Sequence, residues 1–386
     1  MIINKDVMRD HNERSVLQAI VNHGPISRTE VSKLLGLNKV TVSDIIGSLT
    51  ERKLVTSQGE ARAAASGSGR RPELVAYNVT YGYVINFSIS GLTLEMLVTQ
   101  LDGRALEYSQ SPIDNLTVHQ VVAKMEEMVR QLPKFKVDNG LQAISIAIFG
   151  VVYQNEIISS PFVDFEDVDL VGHFEQRYHV PVIMENEANL SAIFEQDYSK
   201  QELQSLVSIS IHEGVGAGIL LNKQLYTGNY GRAGEVGQML LTEPDKPRQR
   251  LAKLPNFDQE WSQSALLAKA AHLKGRPTYT LADLVRANEQ GDAQITRLIE
   301  DFCYQLAVVT SNLIIAYDPQ LVFFNSPLID QLPEILKNVQ MKLSFMPLVP
   351  PLVMSKDVKY ATLLGGASLA IHKVLDMTGT RLILHH

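Results

Sequence analysis

The chain has 386 residues, of which 45% are hydrophobic and 20% are charged. This length and composition are typical of a folded protein with two or three domains and a sizeable core. The single cysteine, Cys303, excludes an internal disulfide framework and any zinc site built from several cysteines. Because the N-terminus lacks an apolar signal core and the most apolar stretches are shorter than a membrane span, we expect a soluble cytoplasmic protein.

The net charge of −7 is distributed unevenly along the chain. Residues 1–78 contain 11 Lys and Arg against 8 Asp and Glu, a net of +3, so the remainder carries −10. A basic N-terminal part on an acidic body fits a nucleic-acid contact confined to the N-terminus. A difference this small also arises by chance, so it supports a DNA contact only in combination with motifs.

Three helices are predicted in the first 50 residues. Apolar residues at helical spacing, beginning with Val7, predict the first helix between residues 6 and 21. A Ser-x-x-Glu capping box at Ser27 begins the second helix, and Gly36 ends it. Asn38 caps a third helix that runs to about residue 49. Two short helices joined by a tight glycine-containing turn are the helix-turn-helix arrangement.

The polar residues at the starts of these helices are candidates for DNA contacts. In a helix-turn-helix, the start of the motif's second helix enters the major groove, where short polar and cationic side chains reach phosphates and base edges. We therefore expect DNA contacts from Ser27, Arg28, Asn38, Lys39, Thr41 and Ser43. A helical hairpin without a role in DNA binding would show the same pair of helices.

A β-hairpin with a long tip is predicted after the third helix. One strand begins at Leu54, and a returning strand is predicted over residues 73–79, with a segment rich in Gly, Ala and Ser between them. This tip ends in Gly69-Arg70-Arg71-Pro72. Arginines in an extended segment favour the narrow minor groove of A·T-rich DNA, so Arg70 and Arg71 are predicted DNA contacts. A solvated linker between domains is the alternative interpretation.

Beyond residue 80 the pattern becomes α/β, and it occurs twice. A strand at 85–89, a glycine turn and two further strands joined at Asp102-Gly103 precede a helix at about 117–132. A strand beginning at Leu206 is likewise followed by a predicted glycine turn at 214–218 and two short strands. The repetition predicts two similar α/β lobes with a cleft between them, and ligands bind in such clefts.

These motifs together resemble the ROK family of repressors, open reading frames and sugar kinases, and within it the xylose-repressor type. The repressor half of the resemblance rests on Ile26-Ser27-Arg28, on residues 36–43 (Gly-Leu-Asn-Lys-Val-Thr-Val-Ser) and on the Gly-Arg-Arg-Pro segment. The sugar-binding half rests on residues 185–189 (Glu-Asn-Glu-Ala-Asn) and 231–237 (Gly-Arg-Ala-Gly-Glu-Val-Gly). The resemblance extends over essentially the whole chain.

The resemblance implies an α/β protein in three parts. Residues 1–80 would form a winged helix-turn-helix DNA-binding domain with its wing and linker. A two-lobed actin-like or ribonuclease-H-like sugar-kinase fold would follow, with a first α/β lobe at 81–200 and a second at 201–386. The C-terminal helix of the second lobe would return to the first lobe.

The kinases of this family hold nucleotide phosphates in two turns, and both turns are altered here. Their Asp-x-Gly-Gly-Thr turn aligns with residues 88–92 (Ser-Ile-Ser-Gly-Leu), which lack the carboxylate, the threonine and one glycine. Their Gly-Thr-Gly-x-Gly turn aligns with residues 212–216, where Glu213 would repel a polyphosphate. Gln238 replaces the histidine of the family's zinc site, and no cysteine occurs between residues 241 and 261. We therefore expect no ATP site and no zinc site.

The groups that recognise sugar hydroxyls are kept. The resemblance assigns sugar contacts to Gly150, Asn186, Glu187, Glu235, Gln238 and Asp258. Glu187 occupies the position of the kinases' catalytic base, which is usually Asp, and its longer side chain suits a binder or a smaller ligand such as a pentose. Each of these acids could instead be a solvated surface charge or a helix cap.

These features predict a sugar-responsive transcriptional repressor. A homodimer would place two recognition helices on a double-stranded DNA operator, and a monosaccharide inducer such as xylose would close the cleft and release the DNA. Two alternatives stay open: an active ROK sugar kinase with an appended DNA-binding domain, and an interaction module whose body binds a transport protein. No membrane partner is expected.

Overall fold

The computed structural model describes residues 5–60, 72–165, 168–241 and 250–386. Its N-terminal part, called the head below, consists of α1 (Lys5–His23), β1 (Ile26–Ser27), α2 (Arg28–Leu35), α3 (Lys39–Glu51), β2 (Val55–Glu60) and β3 (Glu73–Tyr77). The three strands form one antiparallel sheet in the order β1-β3-β2. Helices and strands therefore follow each other as the sequence predicts.

Local sequence explains where the head's helices begin and end. The Ser27 side chain accepts a hydrogen bond from the Glu30 amide and completes the predicted capping box of α2. Gly36 ends α2 with a left-handed backbone (φ 65°), a conformation that glycine adopts at no steric cost. The prediction that Val7 belongs to the apolar face of α1 is wrong, because Val7 is 59% exposed. Val16 and Ile20, further along the helix, are fully buried.

The first lobe contains a five-stranded sheet with helices around it. Its elements are β4 (Tyr83–Ile89), β5 (Thr93–Gln100), β6 (Ala105–Pro112), α4 (Val118–Arg130), β7 (Leu141–Ile148), β8 (Val151–Tyr153), β9 (Glu156–Ser159), α5 (Leu170–Tyr178), β10 (Val182–Asn186) and α6 (Glu187–Asp197). The sheet order is β10-β7-β4-β5-β6, and β8 and β9 form a separate hairpin that the sequence analysis did not predict.

The second lobe repeats this plan. Its elements are β11 (Ser205–Ile211), β12 (Val215–Leu221), β13 (Gln224–Leu225), α7 (Phe257–Trp261), α8 (Gln263–Leu273), α9 (Leu281–Glu289), α10 (Ala293–Tyr317), β14 (Leu321–Asn325), α11 (Pro327–Gln331), α12 (Glu334–Lys342), β15 (Leu352–Met354) and α13 (Ala361–Val374). The sheet order is β13-β12-β11-β14-β15. Each sheet begins with an antiparallel meander of three strands. Two further strands then pair beside the first strand of the meander and run parallel to it.

The predicted glycine turn at 214–218 is shorter than expected. Gly216 and Gly218 lie inside β12, and only the residues before Val215 form the turn. A Cβ atom on Gly218 would lie 2.2 Å from the Ala188 carbonyl oxygen of α6, and one on Gly216 would lie 2.9 Å from the Ala188 Cβ. These two glycines therefore allow α6 to pack directly on β12, which a helix can do only where side chains are absent.

A second pair of glycines brings α13 against the first lobe. A Cβ on Gly365 would lie 1.9 Å from the Leu190 carbonyl oxygen, and one on Gly366 would lie 2.4 Å from the Ser145 hydroxyl. The C-terminal helix thus packs on α6 and β7 at backbone contact distance. Close helix packing accounts for both glycines.

The head shares a hydrophobic core with the end of the chain. Buried side chains of α1 and α3 join those of α13 and of the segment after it, including Val16, Ile46, Ile371 and Leu382. Helix α10 runs for 25 residues, from Ala293 to Tyr317. By length and apolar composition it could span a membrane, but 61% of its apolar window is buried, as in the core helix of a folded lobe.

Helix packing at Gly365 can be tested by adding a single methyl group. We expect Gly365→Ala to lower the free energy of unfolding by about 2 kcal/mol, because the new Cβ meets backbone atoms of α6 that cannot move aside. The matched control is Gly47→Ala inside α3, where the new Cβ meets nothing within 4 Å; it should stabilise by about 0.5–1 kcal/mol. Urea unfolding curves measure both, and equal midpoints for the two variants would contradict this packing.

Candidate functional site

A cavity of about 530 Å³ lies between the two lobes. Its walls come from the residues after β7, the junction of β10 and α6, the start of β12 and the turn that contains Glu235. All six residues predicted to contact sugar line this cavity: Gly150, Asn186, Glu187, Glu235, Gln238 and Asp258. The structure therefore brings together side chains that are up to 108 positions apart in the sequence, from 150 to 258.

Asn186 is held rigidly at the edge of the cavity. Its side-chain oxygen caps α6 by accepting hydrogen bonds from the amides of Ala188 (2.9 Å) and Asn189 (3.1 Å). Its side-chain nitrogen donates to the Gly150 carbonyl oxygen at 2.8 Å. An amide nitrogen has two protons, so one proton of Asn186 stays available for a ligand hydroxyl. Asn186 therefore caps α6 and also lines the cavity.

Glu187 is the most deeply buried acid of the cavity, with 5% of its surface exposed. One carboxylate oxygen accepts a hydrogen bond from the Ser210 hydroxyl at 2.7 Å. Burial raises the pKa of Glu187 to about 7, helped by the nearby charges of Glu235 and Asp258 and opposed by the Ser210 hydrogen bond. The surface-charge interpretation of Glu187 is therefore wrong, since this carboxyl lies inside the cleft.

Glu235 and Asp258 complete a group of three acids around the cavity. Burial raises the pKa of Glu235, with a further rise from the charge of Asp258. Burial also raises the pKa of Asp258, opposed by a hydrogen bond that its carboxylate accepts from the Val215 amide at 2.6 Å. Gln238 donates to the other oxygen of Asp258 at 3.2 Å. Sugar hydroxyls are uncharged donors, so they can stabilise these carboxylates without adding like charge.

Several residues that line the cavity were missed by the sequence analysis. Phe149 and Phe162 supply flat apolar walls, and Arg232 supplies a cation at the rim. Such a mixture of aromatic walls and a few convergent polar groups is typical of small-molecule sites. Phe149 directly precedes Gly150, which was predicted to line the pocket, so its position in the sequence could have identified it. Phe162 follows the unpredicted β8–β9 hairpin, and only the folded chain places it there.

The two turns that align with the kinases' phosphate turns contact carboxylates of the chain itself. The amide of Gly91, between β4 and β5, donates to the Glu213 carboxylate at 2.8 Å. The amide of Val215, after the β11–β12 turn, donates to Asp258. A polyphosphate placed at either amide would meet a fixed negative charge at contact distance, which strongly disfavours binding. Glu213 and Asp258 therefore do not fit the phosphates of a nucleoside triphosphate at these turns.

In the head, the structure separates the predicted DNA contacts into two groups. Ser27 is 3% exposed and its hydroxyl donates to Glu30 at 2.7 Å, so a direct DNA contact by Ser27 is not supported. The Arg28 guanidinium is half-buried and donates to Glu73 at 2.6 Å. Both side chains stabilise the start of α2 and its contact with β3.

The second group lies at the start of α3. Asn38 is exposed but uses its side-chain oxygen to cap α3 through the Thr41 amide at 2.8 Å. Lys39 and Ser43 are exposed and Thr41 is partly buried, so Lys39 and Ser43 point to solvent. Val40 is 70% exposed and was not predicted. Arg70 and Arg71 lie outside the described residues, and their role stays a prediction from sequence.

The fold and the cavity define a class of protein: a sugar-kinase-like α/β body, with an acidic pocket of about 530 Å³ between its lobes and a helical head. The ROK family model matches residues 86–373. The chain therefore belongs to the ROK family.

Two relatives match over nearly the whole chain. The xylose repressor of Lactiplantibacillus pentosus is 32% identical over 379 residues, which cover 97% of this chain and 96% of that protein. The xylose repressor of Staphylococcus xylosus is 33% identical over 377 residues, with 97% of each chain covered. Both alignments thus include the head as well as the two lobes.

Solved structures show the same fold at lower identity. A ROK family transcriptional regulator, a homologue of the E. coli MLC protein, superposes with a TM-score of 0.79 at 19% identity, over 96% of this chain and 98% of that chain. A ROK family glucokinase from Streptomyces griseus superposes with a TM-score of 0.64 at 20% identity, over 75% of this chain and 99% of that one. The α/β sugar-kinase-like fold is therefore shared by a regulator and an enzyme.

The buried charge of Glu187 should make stability depend on pH. Its folded-state pKa is raised from 4.5 to about 7, so the folded chain binds this proton more tightly and loses stability as pH rises through that window. We expect Glu187→Gln, which stays neutral, to be more stable than the parent by about 2 kcal/mol near pH 8 and equally stable near pH 4. Urea unfolding at a series of pH values measures this.

The control for this measurement is Glu107→Gln on β6, where the carboxylate is exposed. It should leave the pH profile of unfolding unchanged. The free energy of unfolding of Glu187→Gln could instead change with pH in the same way as that of the parent. Glu187 would then ionise at little cost in the folded state, which would contradict its burial.

Proposed function

We propose that the chain is a sugar-responsive transcriptional repressor of the cytoplasm, with a winged helix-turn-helix head and a monosaccharide inducer bound between the lobes. The observation that carries this proposal is the cavity itself. It keeps the hydroxyl-recognising side chains Asn186, Glu187 and Glu235, while both turns that would hold phosphate are occupied by Glu213 and Asp258. Relatives named xylose repressors support D-xylose as the inducer.

The head supports DNA as the partner. Helices α2 and α3 are joined by the left-handed turn at Gly36, and β2 and β3 form the hairpin of a wing. Lys39 and Ser43 at the start of α3 are available for phosphate and base edges, and the exposed Val40 suits the methyl group of thymine. Arg70 and Arg71 would add contacts in the minor groove.

We propose a homodimer that binds two half-sites of an inverted repeat. The second lobe carries a face of exposed apolar side chains on α10, at the end of α12 and in the loop that follows: Tyr304, Val308, Ile315, Met341, Phe345 and Leu348. Exposed apolar faces of this kind are typical of protein–protein contacts. A face on the second lobe would leave both heads free to reach DNA.

The absence of kinase activity is also part of the proposal. Phosphoryl transfer depends on positioning and neutralising the phosphates, and the cleft offers carboxylates where the phosphates would lie. Glu187 could act as a base on a sugar hydroxyl only if a phosphoryl donor were held opposite it. We therefore propose that the cleft binds a sugar and does not phosphorylate it.

Helix α6 connects the sugar cavity with the head. Its first residue, Glu187, lines the cavity, and its last residue, Asp197, lies about 15 Å away along the helix. At that end, the Asp197 carbonyl oxygen accepts from the Leu384 amide at 2.9 Å, and the Gln196 carbonyl oxygen accepts from Arg381 at 3.3 Å. The C-terminal segment is thus attached to the end of the helix that begins at the sugar site.

The same C-terminal segment holds α1 of the head. The Arg381 carbonyl oxygen accepts hydrogen bonds from Gln18 (2.8 Å) and Asn22 (3.1 Å). The Asn22 side-chain oxygen accepts from the Ile383 amide at 2.7 Å. We propose that a shift of α6 on sugar binding reaches α1 through these bonds and changes the spacing of the two heads, which requires only different sugar affinities in the two arrangements.

The repressor function is tested by DNA binding in the presence of sugars. DNA duplexes selected by the protein from a random library are titrated by fluorescence anisotropy with D-xylose, D-glucose or N-acetylglucosamine. We expect D-xylose to weaken binding at least about tenfold, since allosteric couplings are typically of this size. Glu235→Ala should remove this response, because it removes a carboxylate from the cavity wall.

Two outcomes would contradict the proposal. DNA affinity that no sugar changes would remove the inducer, and ATP consumption with any of these sugars in a coupled assay would favour the kinase. Light scattering of the same samples measures whether the free protein is a dimer.

The coupling route is tested separately with Asn22→Ala and Arg381→Ala. Both variants should still bind D-xylose, because neither residue lines the cavity, but the weakening of DNA binding by sugar should fall several-fold. Arg177→Ala on the exposed side of α5 is the matched control and should respond like the parent. Parent-like sugar responses in both test variants would show that the C-terminal segment does not carry the signal.

A further inference from the structure

A hydrogen bond joins two turns of the two lobes beside the cavity, next to its lining residues Phe162 and Gly214. The Gly91 amide, in the β4–β5 turn of the first lobe, donates to the Glu213 carboxylate, in the β11–β12 turn of the second lobe, at 2.8 Å. The rest of the first turn is stabilised locally, since the Ser90 hydroxyl accepts from the amides of Leu92 and Thr93. The Gly91 amide is therefore directed at the other lobe instead of at its own turn.

Phe162 lies between these two turns. A Cβ atom added to Gly91 would be 3.1 Å from the Phe162 Cβ, and one added to Gly214 would be 3.2 Å from its ring. Phe162 also lines the sugar cavity. Its position as a cavity wall thus depends on both turns staying at their present separation.

We propose that Glu213 is a positioning residue for sugar binding. Its carboxylate holds the turns of the two lobes together around Phe162, so that the cavity is closed on that side without a nucleotide. This inference rests on the proposed function, because it concerns the sugar site of the repressor. It assigns Glu213 a role beyond the repulsion of polyphosphate.

The chemistry of the bond supports this role. A carboxylate that accepts from a backbone amide forms a charge-assisted hydrogen bond, which is stronger than one between neutral groups. A nucleotide that joined the lobes would act only at sufficient concentration, whereas a carboxylate attached to the chain is always present at a high effective concentration. Sugar affinity in this protein should therefore be independent of nucleotide.

The bond can be broken from either lobe. Glu213→Ala removes the acceptor, and Gly91→Ala places a Cβ 2.7 Å from the Glu213 carboxylate oxygen. Isothermal titration with D-xylose should show about tenfold weaker binding for both variants, and stopped-flow should show faster dissociation. Glu213→Gln keeps an acceptor oxygen and should retain most of the affinity. Glu107→Ala on β6 is the control for loss of an exposed carboxylate and should bind like the parent.

Acetate rescue separates a positioning role from general destabilisation. In Glu213→Ala an acetate ion can accept from the vacated Gly91 amide, so acetate should partly restore D-xylose affinity where equal chloride does not. Acetate should not help Gly91→Ala, where the new methyl group fills the space. Acetate rescue of Glu213→Ala, without rescue of Gly91→Ala, supports the proposal. Parent-like affinity and dissociation rates in both alanine variants overturn it.

Hydrogen exchange tests the same bond in the absence of sugar. The peptide that contains Gly91 should exchange faster in Glu213→Ala than in the parent and in Glu213→Gln. Equal exchange in all three proteins overturns the interlobe bond. If the parent binds none of the sugars tested, the proposed function fails, and this measurement still decides whether Glu213 joins the lobes.

Discussion

The backbone contact between α6 and its two neighbours is the constraint on which the rest of the structure depends. Glycines in β12 and α13 remove side chains at the contact points, so this helix approaches both neighbours at backbone distance. Its N-terminus consequently places Asn186 and Glu187 in the cleft, and its C-terminus reaches the segment that holds the head. One helix therefore extends from the cavity between the lobes to the segment that holds the head, within a closely packed interior.

Charge decides what the cleft can bind. Three partly or fully buried acids surround the cavity, and a fourth, Glu213, precedes the lining residue Gly214 and accepts from the Gly91 amide. Anionic ligands are disfavoured there by Coulomb repulsion, whereas a polyhydroxylated neutral ligand supplies the hydrogen-bond donors that these acids lack. The same side chains thus favour the proposed sugar and disfavour a nucleotide. A ROK family glucokinase and this chain share one fold at 20% identity.

Much of the candidate site could be predicted from sequence, because its polar residues belong to short motifs. Residues 185–189 and 231–237 identified Asn186, Glu187 and Glu235, and all three line the cavity. Ser27 was misassigned because a capping box and a DNA contact use the same residue type, and only burial distinguishes them. Phe162 was missed because no local pattern marks an aromatic residue that contacts two distant turns. The glycines of β12 were interpreted as a turn because sequence does not reveal which helix will lie on them.

The sequence by itself determined the three helices and the hairpin of the head and the repeated strand-turn-strand plan of the two lobes, since periodicity and capping are local properties. The family resemblance of its motifs indicated that both phosphate turns are altered. Only the tertiary structure decided how distant groups pair. The Glu213 carboxylate meets the Gly91 amide, and Asn22 meets the C-terminal segment, over separations of 122 and 361 positions. Such contacts depend on how whole lobes pack against each other, and side-chain burial and interlobe hydrogen bonds exist only once that packing is complete.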